Sequence, residues 1–282
     1  MYVLCSPCIQ NPGLRAEGIT RASDLELFQR SIERCKQYSI EMVPLPCPET
    51  LYLGLRRTPG TFLERLDTPA FSRLVDTLEQ DVLGIIEERG PPLCILGVNS
   101  SPTCGVKSTY YGSTDETPPK RDGRGVFLSR FPGIPAMDVS VFARFRLYLA
   151  APLFSEAERD YNASLARLLE TNLFSVHLPQ EAGDDSISRG KPALERIFLA
   201  NKKALEEADL VVAVIDGADA DSGTAWEMGY AAGLIKPVIA LRTDFRMAGQ
   251  HEHVNLMLEA SSTVVTSREA LLAALHSPLS TR

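Results

Sequence analysis

The run Leu210-Val211-Val212-Ala213-Val214-Ile215, followed by Asp221-Ser222-Gly223-Thr224-Ala225-Trp226-Glu227-Met228-Gly229-Tyr230, decides the fold of the second half of the chain. The first run is continuously apolar, as in a buried strand, and the second opens a helix of small residues. Open α/β sheets bind ligands at the carboxyl ends of their strands, so Asp221 and Glu227 are expected in a site there. Gly223 lets a substrate approach the backbone closely. The alternative is an Asp-Ser N-cap on an ordinary helix, with Glu227 in solvent.

Strand and helix patterns alternate around this segment. Residues 145–154 have the pattern of a strand running into a tight turn, and 156–171 carry apolar residues at helical spacing. The pattern then predicts a strand at 174–178, a polar loop at 179–185, a helix at 192–207, the strand at 210–215, a helix ending at 234 and a strand at 237–241. Such alternation indicates an α/β fold with a mainly parallel sheet flanked by helices, of the flavodoxin or Rossmann type.

Residues 145–282 resemble the nucleoside 2'-deoxyribosyltransferase family in several segments that occur in the same order. Tyr148 and Phe154 match the family's first strand and turn, and Asp221 and Glu227 match its Asp and its nucleophilic Glu. The resemblance implies catalytic roles for Glu227, Asp221 and Tyr148. It implies substrate-binding roles for Phe154, Gln180, Gly223, Asn255 and Met257.

Two further segments refine this resemblance. Asn255-Leu256-Met257 is similar to the Asn-x-Met segment that family members pass across a subunit interface, which implies a homodimer or a higher homo-oligomer. Asn201 departs from the family pattern, because many members carry an Asp eight residues before the Asp that opens the strand, here Asp209. An amide cannot share a proton with Glu227, so we expect Asn201 to orient the nucleophile or the sugar through a hydrogen bond.

These residue types suit cleavage of an N-glycosidic bond. A carboxylate under the anomeric carbon, here Glu227, can trap the sugar as a glycosyl ester, which a free nucleobase or water then attacks to give transfer or hydrolysis. The leaving base needs a proton. The candidate acids are Glu181, Asp184 and Asp185, and the alternative is that they are solvated turn residues.

Asp221 bears on the choice of substrate. Its carboxylate accepts a hydrogen bond from a neutral sugar 5'-hydroxyl but repels a 5'-phosphate, which favours free nucleosides. The alternatives are a nucleoside 5'-monophosphate N-glycosidase and a non-catalytic protein that binds or senses nucleosides. A nucleophilic Glu together with Asp221 and Tyr148 favours chemistry over sensing, because a binding pocket needs no nucleophile.

Cysteines mark the first half of the chain in three local contexts. These are Cys5-Ser6-Pro7-Cys8, Leu45-Pro46-Cys47-Pro48-Glu49 and Ser100-Ser101-Pro102-Thr103-Cys104-Gly105. Each follows an apolar run, so the loops are expected to converge at one edge of a sheet. Three thiolates can hold an iron-sulfur cluster with one iron open. The alternatives are zinc, whose usual paired spacings are missing, and buried free cysteines.

Residues 1–143 resemble the thiouracil desulfidase family through these Pro-Cys, Cys-Pro-Glu and Ser-Pro-x-Cys-Gly motifs. The resemblance implies that Cys8, Cys47 and Cys104 hold a four-iron four-sulfur cluster that takes sulfur from a thiolated base. It assigns Glu49 and Ser101 as the polar residues of that site. Cys5, Cys35 and Cys94 have no counterpart in the family motifs and are expected to serve packing.

Composition supports an enzyme of two domains, 1–143 and 144–282, each a mainly parallel sheet flanked by helices. The net charge of -7, from 29 Lys and Arg against 36 Asp and Glu, disfavours binding to nucleic acid. No apolar run is long enough to span a bilayer, and Met1-Tyr2-Val3-Leu4 does not open a signal segment. The sequence therefore predicts a cytoplasmic protein with no membrane partner, and six cysteines that are thiols or metal ligands.

Overall fold

A computed structural model describes residues 1–113, 115, 119–182, 191–246 and 254–277. The chain divides into two compact units, Met1–Ala143 and Arg144–Arg282. Each unit contains a parallel sheet with helices packed against it, which confirms the predicted fold class. Within the described ranges, no helix is both long enough and apolar enough to cross a membrane.

The first unit is built on a four-stranded parallel sheet of order β2-β1-β3-β6. Strands β4 and β5 pair separately as an antiparallel hairpin. In chain order the elements are β1 (Tyr2–Cys5), α1 (Ala22–Gln37), β2 (Glu41–Pro44), α2 (Pro48–Leu53), α3 (Phe62–Arg65), α4 (Pro69–Arg89), β3 (Ile95–Gly97), β4 (Ser108–Tyr110), β5 (Lys120–Asp122), β6 (Ala136–Asp138) and α5 (Val139–Phe142).

Helix α4 covers one face of this sheet. Phe71, Val75, Leu78 and Val82 recur at helical spacing, are buried, and pack in one cluster with core residues of the strands such as Ile95. Removing such side chains from water is the main stabilising contribution to a core of this kind. The sheet is therefore held from one side by a single long amphipathic helix.

The second unit contains a five-stranded parallel sheet of order β11-β10-β9-β7-β8. This is the flavodoxin-like order, in which the connections reverse direction between β7 and β9. Its elements are β7 (Arg146–Ala150), α6 (Glu156–Thr171), β8 (Ser175–His177), α7 (Pro179–Ala182), α8 (Lys191–Glu207), β9 (Leu210–Val214), α9 (Ser222–Gly233), β10 (Val238–Leu241), α10 (Leu256–Ala260), β11 (Thr263–Val265) and α11 (Arg268–Leu275).

The predicted polar loop at 179–185 is wrong over its first residues, because α7 occupies Pro179–Ala182. Proline suits the first turn of a helix, and Gln, Glu and Ala are good helix formers. Four residues carry no periodicity that a sequence pattern can reveal. By contrast, α6 spans the predicted 156–171, because Ser155 and Glu158 form a capping box at its start.

Candidate functional site

The turn between β9 and α9 positions the two carboxylates of the second unit. Asp221 is the N-cap of α9, and its Oδ2 accepts a hydrogen bond from the Thr224 backbone N–H at 3.0 Å. The N-cap interpretation is thus correct for Asp221. Glu227, one and a half turns into the helix, is partly buried and faces β7. Both carboxylates stand beside the reversal point of the sheet, where this fold binds ligands.

Tyr148 of β7 holds the Glu227 carboxyl. The phenol is fully buried, and its O–H donates to Glu227 Oε1 at 2.5 Å. Burial raises the pKa of Glu227 to about 7, the hydrogen bond from Tyr148 opposes the rise, and Asp221 adds to it by repulsion. Burial and the neighbouring Glu227 raise the pKa of Tyr148, so the phenol stays a neutral donor. A carboxyl that is ionised reversibly near neutral pH is suited to catalysis.

His177 joins this site and was not expected from the sequence. It is paired with Tyr148 in the register of β7 and β8, and the two rings stack with centroids 5.3 Å apart and planes at 20°. Its Nε2 lies 3.3 Å from Asn201 Oδ1. Among the described residues, the side chain of Asn201 bonds to His177 and not to Glu227, so its expected role at the nucleophile stays a prediction.

Gln180 and Phe154 border the same end of the sheet. Gln180 Nε2 donates to the Arg159 carbonyl at 2.9 Å, and its Oε1 accepts from Asn162 Nδ2 at 3.2 Å, which ties α7 to α6. The ring of Phe154 is 75% exposed in the turn after β7. A Cβ at Gly223 would meet only Asp221 Oδ2, at 3.0 Å, so the turn is open on the side away from Asp221.

Asn255 and Met257 lie at the start of α10. Asn255 is the N-cap, its Oδ1 accepting from the Met257 backbone N–H at 2.9 Å. Asn255 is exposed, and the Met257 side chain is 75% exposed. Of the candidate acids, Glu181 is exposed in α7, whereas Asp184 and Asp185 lie outside the described residues.

An aromatic ladder on α8 and α9, formed by Phe198, Trp226 and Tyr230, was also missed. Trp226 stacks on Tyr230 with centroids 5.1 Å apart and planes at 9°, and Phe198 stands 5.7 Å from Trp226. Trp226 is 47% exposed. The ladder adjoins other exposed apolar residues of α8, namely Leu194, Ile197 and Leu199. A surface of this composition is typical of contacts between protein chains.

The first unit has a cavity of about 500 Å³ at the carboxyl edge of its sheet. Cys8 follows β1, Cys47 is the N-cap of α2 after β2, and Cys104 follows β3. Because β2, β1 and β3 are neighbours in the sheet, their following loops meet at one edge, and all three cysteines line the cavity. Cys5, Cys35 and Cys94 are buried and do not line it.

Glu49 is fixed at the wall of this cavity. Its Oε1 accepts hydrogen bonds from Ser101 Oγ at 3.1 Å and Thr103 Oγ1 at 2.8 Å. Its Oε2 lies 3.5 Å from Nε of Arg57, whose side chain is only 4% exposed. Arg57 also donates to the Leu14 carbonyl at 2.8 Å. Glu49 is therefore held by two hydroxyl donors and a buried guanidinium.

The cavity thiols have a different setting. Burial raises the pKa of Cys8 to about 12, with Cys47 adding to the rise and Arg15 opposing it. Burial also raises the pKa of Cys104, with Cys47 the next cause. Hydroxyl groups approach two of the sulfurs, Thr50 Oγ1 at 3.2 Å from Cys47 Sγ and Thr103 Oγ1 at 3.5 Å from Cys104 Sγ. Cys8 and Cys104 would therefore ionise more readily when a positive centre binds them.

No trio of His, Cys, Asp or Glu side chains is close enough to hold one metal ion in the described part of the chain. The three cysteines therefore do not form a single-ion site. A four-iron cluster is larger than one ion, and its ligands stand farther apart. Three thiols on separate loops around an open cavity suit that larger group.

Comparison with known proteins places the second unit in a family. The family described as nucleoside 2-deoxyribosyltransferase matches residues 147–264. An uncharacterised protein of Ureaplasma parvum serovar 3 is 32% identical over 132 residues, which are 41% of this chain and 78% of that protein. An uncharacterised protein of Methanocaldococcus jannaschii is 22% identical over 157 residues, 55% of this chain and 85% of that protein.

Among solved structures, a conserved protein from Enterococcus faecalis V583 shares 31% identity and a TM-score of 0.41 over 46% of this chain and 96% of its own. A 2-deoxyribosyltransferase from Bacillus psychrosaccharolyticus shares 23% identity and a TM-score of 0.42 over 48% of this chain and 98% of its own. The match to the family runs from β7 through β11 and includes Tyr148, Asp221 and Glu227. Residues 147–264 are therefore a nucleoside 2-deoxyribosyltransferase domain.

Proposed function

We propose that the second unit cleaves the N-glycosidic bond of a nucleoside, with Glu227 as the nucleophile. The observation that carries this proposal is the hydrogen bond from the buried Tyr148 phenol to Glu227 Oε1, beside Asp221 at the reversal point of the sheet. A binding pocket has no need of a half-buried carboxyl aimed by a phenol. The family match supports the same reaction class.

The reaction proceeds in two displacements. An oxygen of the ionised Glu227 bonds to the anomeric carbon as the carbon–nitrogen bond breaks, and the electron pair of that bond leaves with the base, which takes up a proton. A second nucleobase or water then attacks the glycosyl ester and releases Glu227. Tyr148 keeps one carboxyl oxygen fixed by its hydrogen bond, so the other is the one presented to the sugar.

Asp221 is the proposed partner of the sugar 5'-hydroxyl. Its carboxylate accepts from the Thr224 N–H and keeps further lone pairs for a substrate donor. No described Arg or Lys forms an ion pair with Asp221 or Glu227, and the Asp221 carboxylate would repel a 5'-phosphate beside it. The substrate is therefore a free nucleoside, together with a free nucleobase when the enzyme transfers the sugar.

A second copy of the chain completes the site in this proposal. Asn255 and Met257 are exposed on α10, and an apolar surface that includes Trp226 adjoins Glu227 along α9. Asn255 and Met257 would enter the partner's site in a homodimer or a higher homo-oligomer. Mixing two inactive variants, Glu227→Gln and Asn255→Ala, then restores about a quarter of the wild-type activity, as random exchange between two-fold partners requires.

The experiment for the main proposal is product analysis with purified protein. A 2'-deoxynucleoside is incubated with and without a different free base, and the products are separated by chromatography. Release of the base shows hydrolysis, and formation of the new nucleoside shows transfer. If the protein cleaves nucleoside 5'-monophosphates but not free nucleosides, the proposed substrate is wrong and the monophosphate takes its place. Binding without turnover across ribo- and deoxynucleosides would overturn the proposal and favour a sensing protein.

A second function is favoured for the first unit by its cavity. Cys8, Cys47 and Cys104 are the residues that would hold a four-iron four-sulfur cluster. When bound, such a cluster supplies an iron without a protein ligand, able to take sulfur from a thiolated base. Glu49, beside Arg57 at the wall of the cavity, is placed to accept or return a proton at the base, and Ser101 orients it by donating to Glu49 Oε1.

A further inference from the structure

We propose that His177 is the acid that protonates the leaving base, an inference that rests on the proposed N-glycosidic cleavage. The reaction needs a proton donor beside the departing base. Glu181, the described candidate among the loop acids, is exposed, and the neighbouring side chain of Gln180 is engaged with Arg159 and Asn162. His177 is instead part of the group around the nucleophile.

The position of His177 is fixed through the sheet. It is the last residue of β8 and pairs with Tyr148 of β7, so both side chains stand on the same face. The imidazole is stacked 5.3 Å from the same phenol ring whose O–H contacts Glu227. The imidazole, the phenol and the nucleophile thus form one continuous layer at the edge of the sheet. A base departing from a sugar bound to Glu227 leaves within this layer.

The orientation of His177 is set by Asn201. The amide oxygen of Asn201, 3.3 Å from Nε2, accepts a hydrogen bond from Nε2–H. Nδ1 then has no hydrogen-bond partner among the described residues, and the ring is partly exposed. A histidine with one nitrogen held by a fixed acceptor and the other free is the arrangement of a general acid or base.

An amide suits position 201 better than a carboxylate if His177 is to give up a proton. A carboxylate there would pair with the imidazolium and oppose release of its proton, because an opposite charge favours the charged form. The amide orients the ring equally well and adds no charge. Asn201 is thus a positioning residue for His177.

The step moves one proton and exchanges one bond at the anomeric carbon. The imidazolium Nδ1–H bond breaks and the proton passes to a nitrogen or oxygen of the base. The carbon–nitrogen bond to the sugar breaks with its electrons moving to the base, and the bond from Glu227 to the anomeric carbon forms. When water or a second base resolves the ester, the neutral imidazole takes the proton that this nucleophile loses.

The test compares His177→Phe with wild type on two matched substrates. Phenylalanine keeps an aromatic ring stacked against Tyr148 but has no N–H group that could protonate the base. One substrate is 2'-deoxyguanosine, and the other is 7-methyl-2'-deoxyguanosine, whose cationic base leaves as a neutral molecule without a proton. We expect kcat/KM on the first to fall about a hundredfold or more, the usual contribution of a general acid. On 7-methyl-2'-deoxyguanosine, we expect kcat/KM of the variant, corrected for spontaneous depurination, to stay within about threefold of the wild-type value.

An equal loss on both substrates would show that His177 only supports Tyr148, and no loss on either would remove it from the reaction. His177→Gln, which keeps a donor to Asn201 but no ring, gives the same comparison if the Phe variant fails to fold. If the wild type prefers pyrimidines, 2'-deoxyuridine and its 5-fluoro derivative, a better leaving group, form the pair. If the wild-type protein cleaves none of these substrates, the proposed function itself is contradicted. That outcome is distinct from failure of the His177 proposal, which requires an active wild type.

Discussion

The two parallel sheets place different chemistry at the same edge. In the first unit the loops after β1, β2 and β3 bring Cys8, Cys47 and Cys104 to one cavity. In the second, the strands β7, β8 and β9 and their following turns position Tyr148, His177 and Glu227. Both sheets share one strand order over their first four strands. The strand order thus determines where a site forms, while the loop residues determine what it does.

The carboxylates of Glu49 and Glu227, one in each site, have different surroundings. Glu49 lies against a buried guanidinium and two hydroxyl donors, which fix the position of its carboxylate. Glu227 has a single hydroxyl donor, a like-charged neighbour and a buried position, and its pKa rises to about 7. Glu49 is thus held by three partners, whereas the Glu227 carboxyl has one hydroxyl donor and ionises near neutral pH. A nucleophile that must bond to carbon and then leave again benefits from the second environment.

The largest effect separates these two carboxylates directly. We expect Glu227→Gln to lower nucleoside cleavage by about a thousandfold or more, because the amide cannot form the glycosyl ester. Glu49→Gln is the matched control in the other unit, and its nucleoside cleavage stays at the wild-type level. Steady-state assays of both purified variants provide the measurement. Comparable losses in the two variants would contradict the separation of the two sites.

The cysteines give a second contrast, within one unit. After anaerobic reconstitution, wild-type protein is expected to bind about four irons, and Cys47→Ala is expected to lose most of them, because a cluster with two protein ligands is weakly held. Cys35→Ala is the control, since Cys35 is buried in α1 away from the cavity. Iron assay and absorption spectra measure both variants. Equal iron in the two would remove the cavity cysteines as ligands.

The elements around these sites were largely predictable from the sequence, because helix and strand periodicities are local. Ser155 and Glu158 mark the start of α6, and the apolar run at 210–215 marks β9. The spacing of Asp221 and Glu227 likewise placed both in one turn and helix. His177 escaped because its partners, Tyr148 and Asn201, are set by strand register and by helix packing. Such contacts across the sheet leave no periodic signal in a single sequence.

A third effect concerns the reversible charge of Glu227. Because the nucleophile acts ionised and its pKa lies at about 7, kcat/KM is expected to fall tenfold per pH unit well below pH 7. Tyr148→Phe removes the hydrogen bond that lowers this pKa, so the acid limb moves to higher pH by roughly one to two units. Activity at pH 7 then falls about five- to fiftyfold.

Tyr230→Phe provides the control for this shift. The phenol of Tyr230 donates to the exposed Glu206 at 2.5 Å and makes no hydrogen bond to Glu227. Removal of the Tyr230 hydroxyl is expected to leave the acid limb of the kcat/KM profile at the wild-type pH. Profiles of kcat/KM against pH for the two variants supply the measurement. A limb that stays in place in Tyr148→Phe would mean that the phenol does not influence the nucleophile.

The smallest effect compares two glycines near the two sites. A Cβ at Gly125 would stand 2.4 to 2.8 Å from backbone atoms of Thr103 and Cys104, so Gly125→Ala is expected to destabilise the first unit by about 1–3 kcal/mol. A Cβ at Gly229 in α9 would meet nothing within 4 Å, so Gly229→Ala is expected to stabilise by up to about 1 kcal/mol. Denaturant unfolding measures both. Changes of the same sign in the free energy of unfolding of the two variants would contradict the difference in packing.

Trp226 offers a spectroscopic consequence of the aromatic ladder. It is the single tryptophan of the chain and is the residue immediately before Glu227. Its indole is half exposed and stacked on Tyr230, so its emission responds to both solvent and neighbouring rings. The intrinsic fluorescence of the unlabelled protein therefore reports from one known position beside the nucleophile. A nucleoside entering the site, or a second chain covering α9, would change that signal in real time.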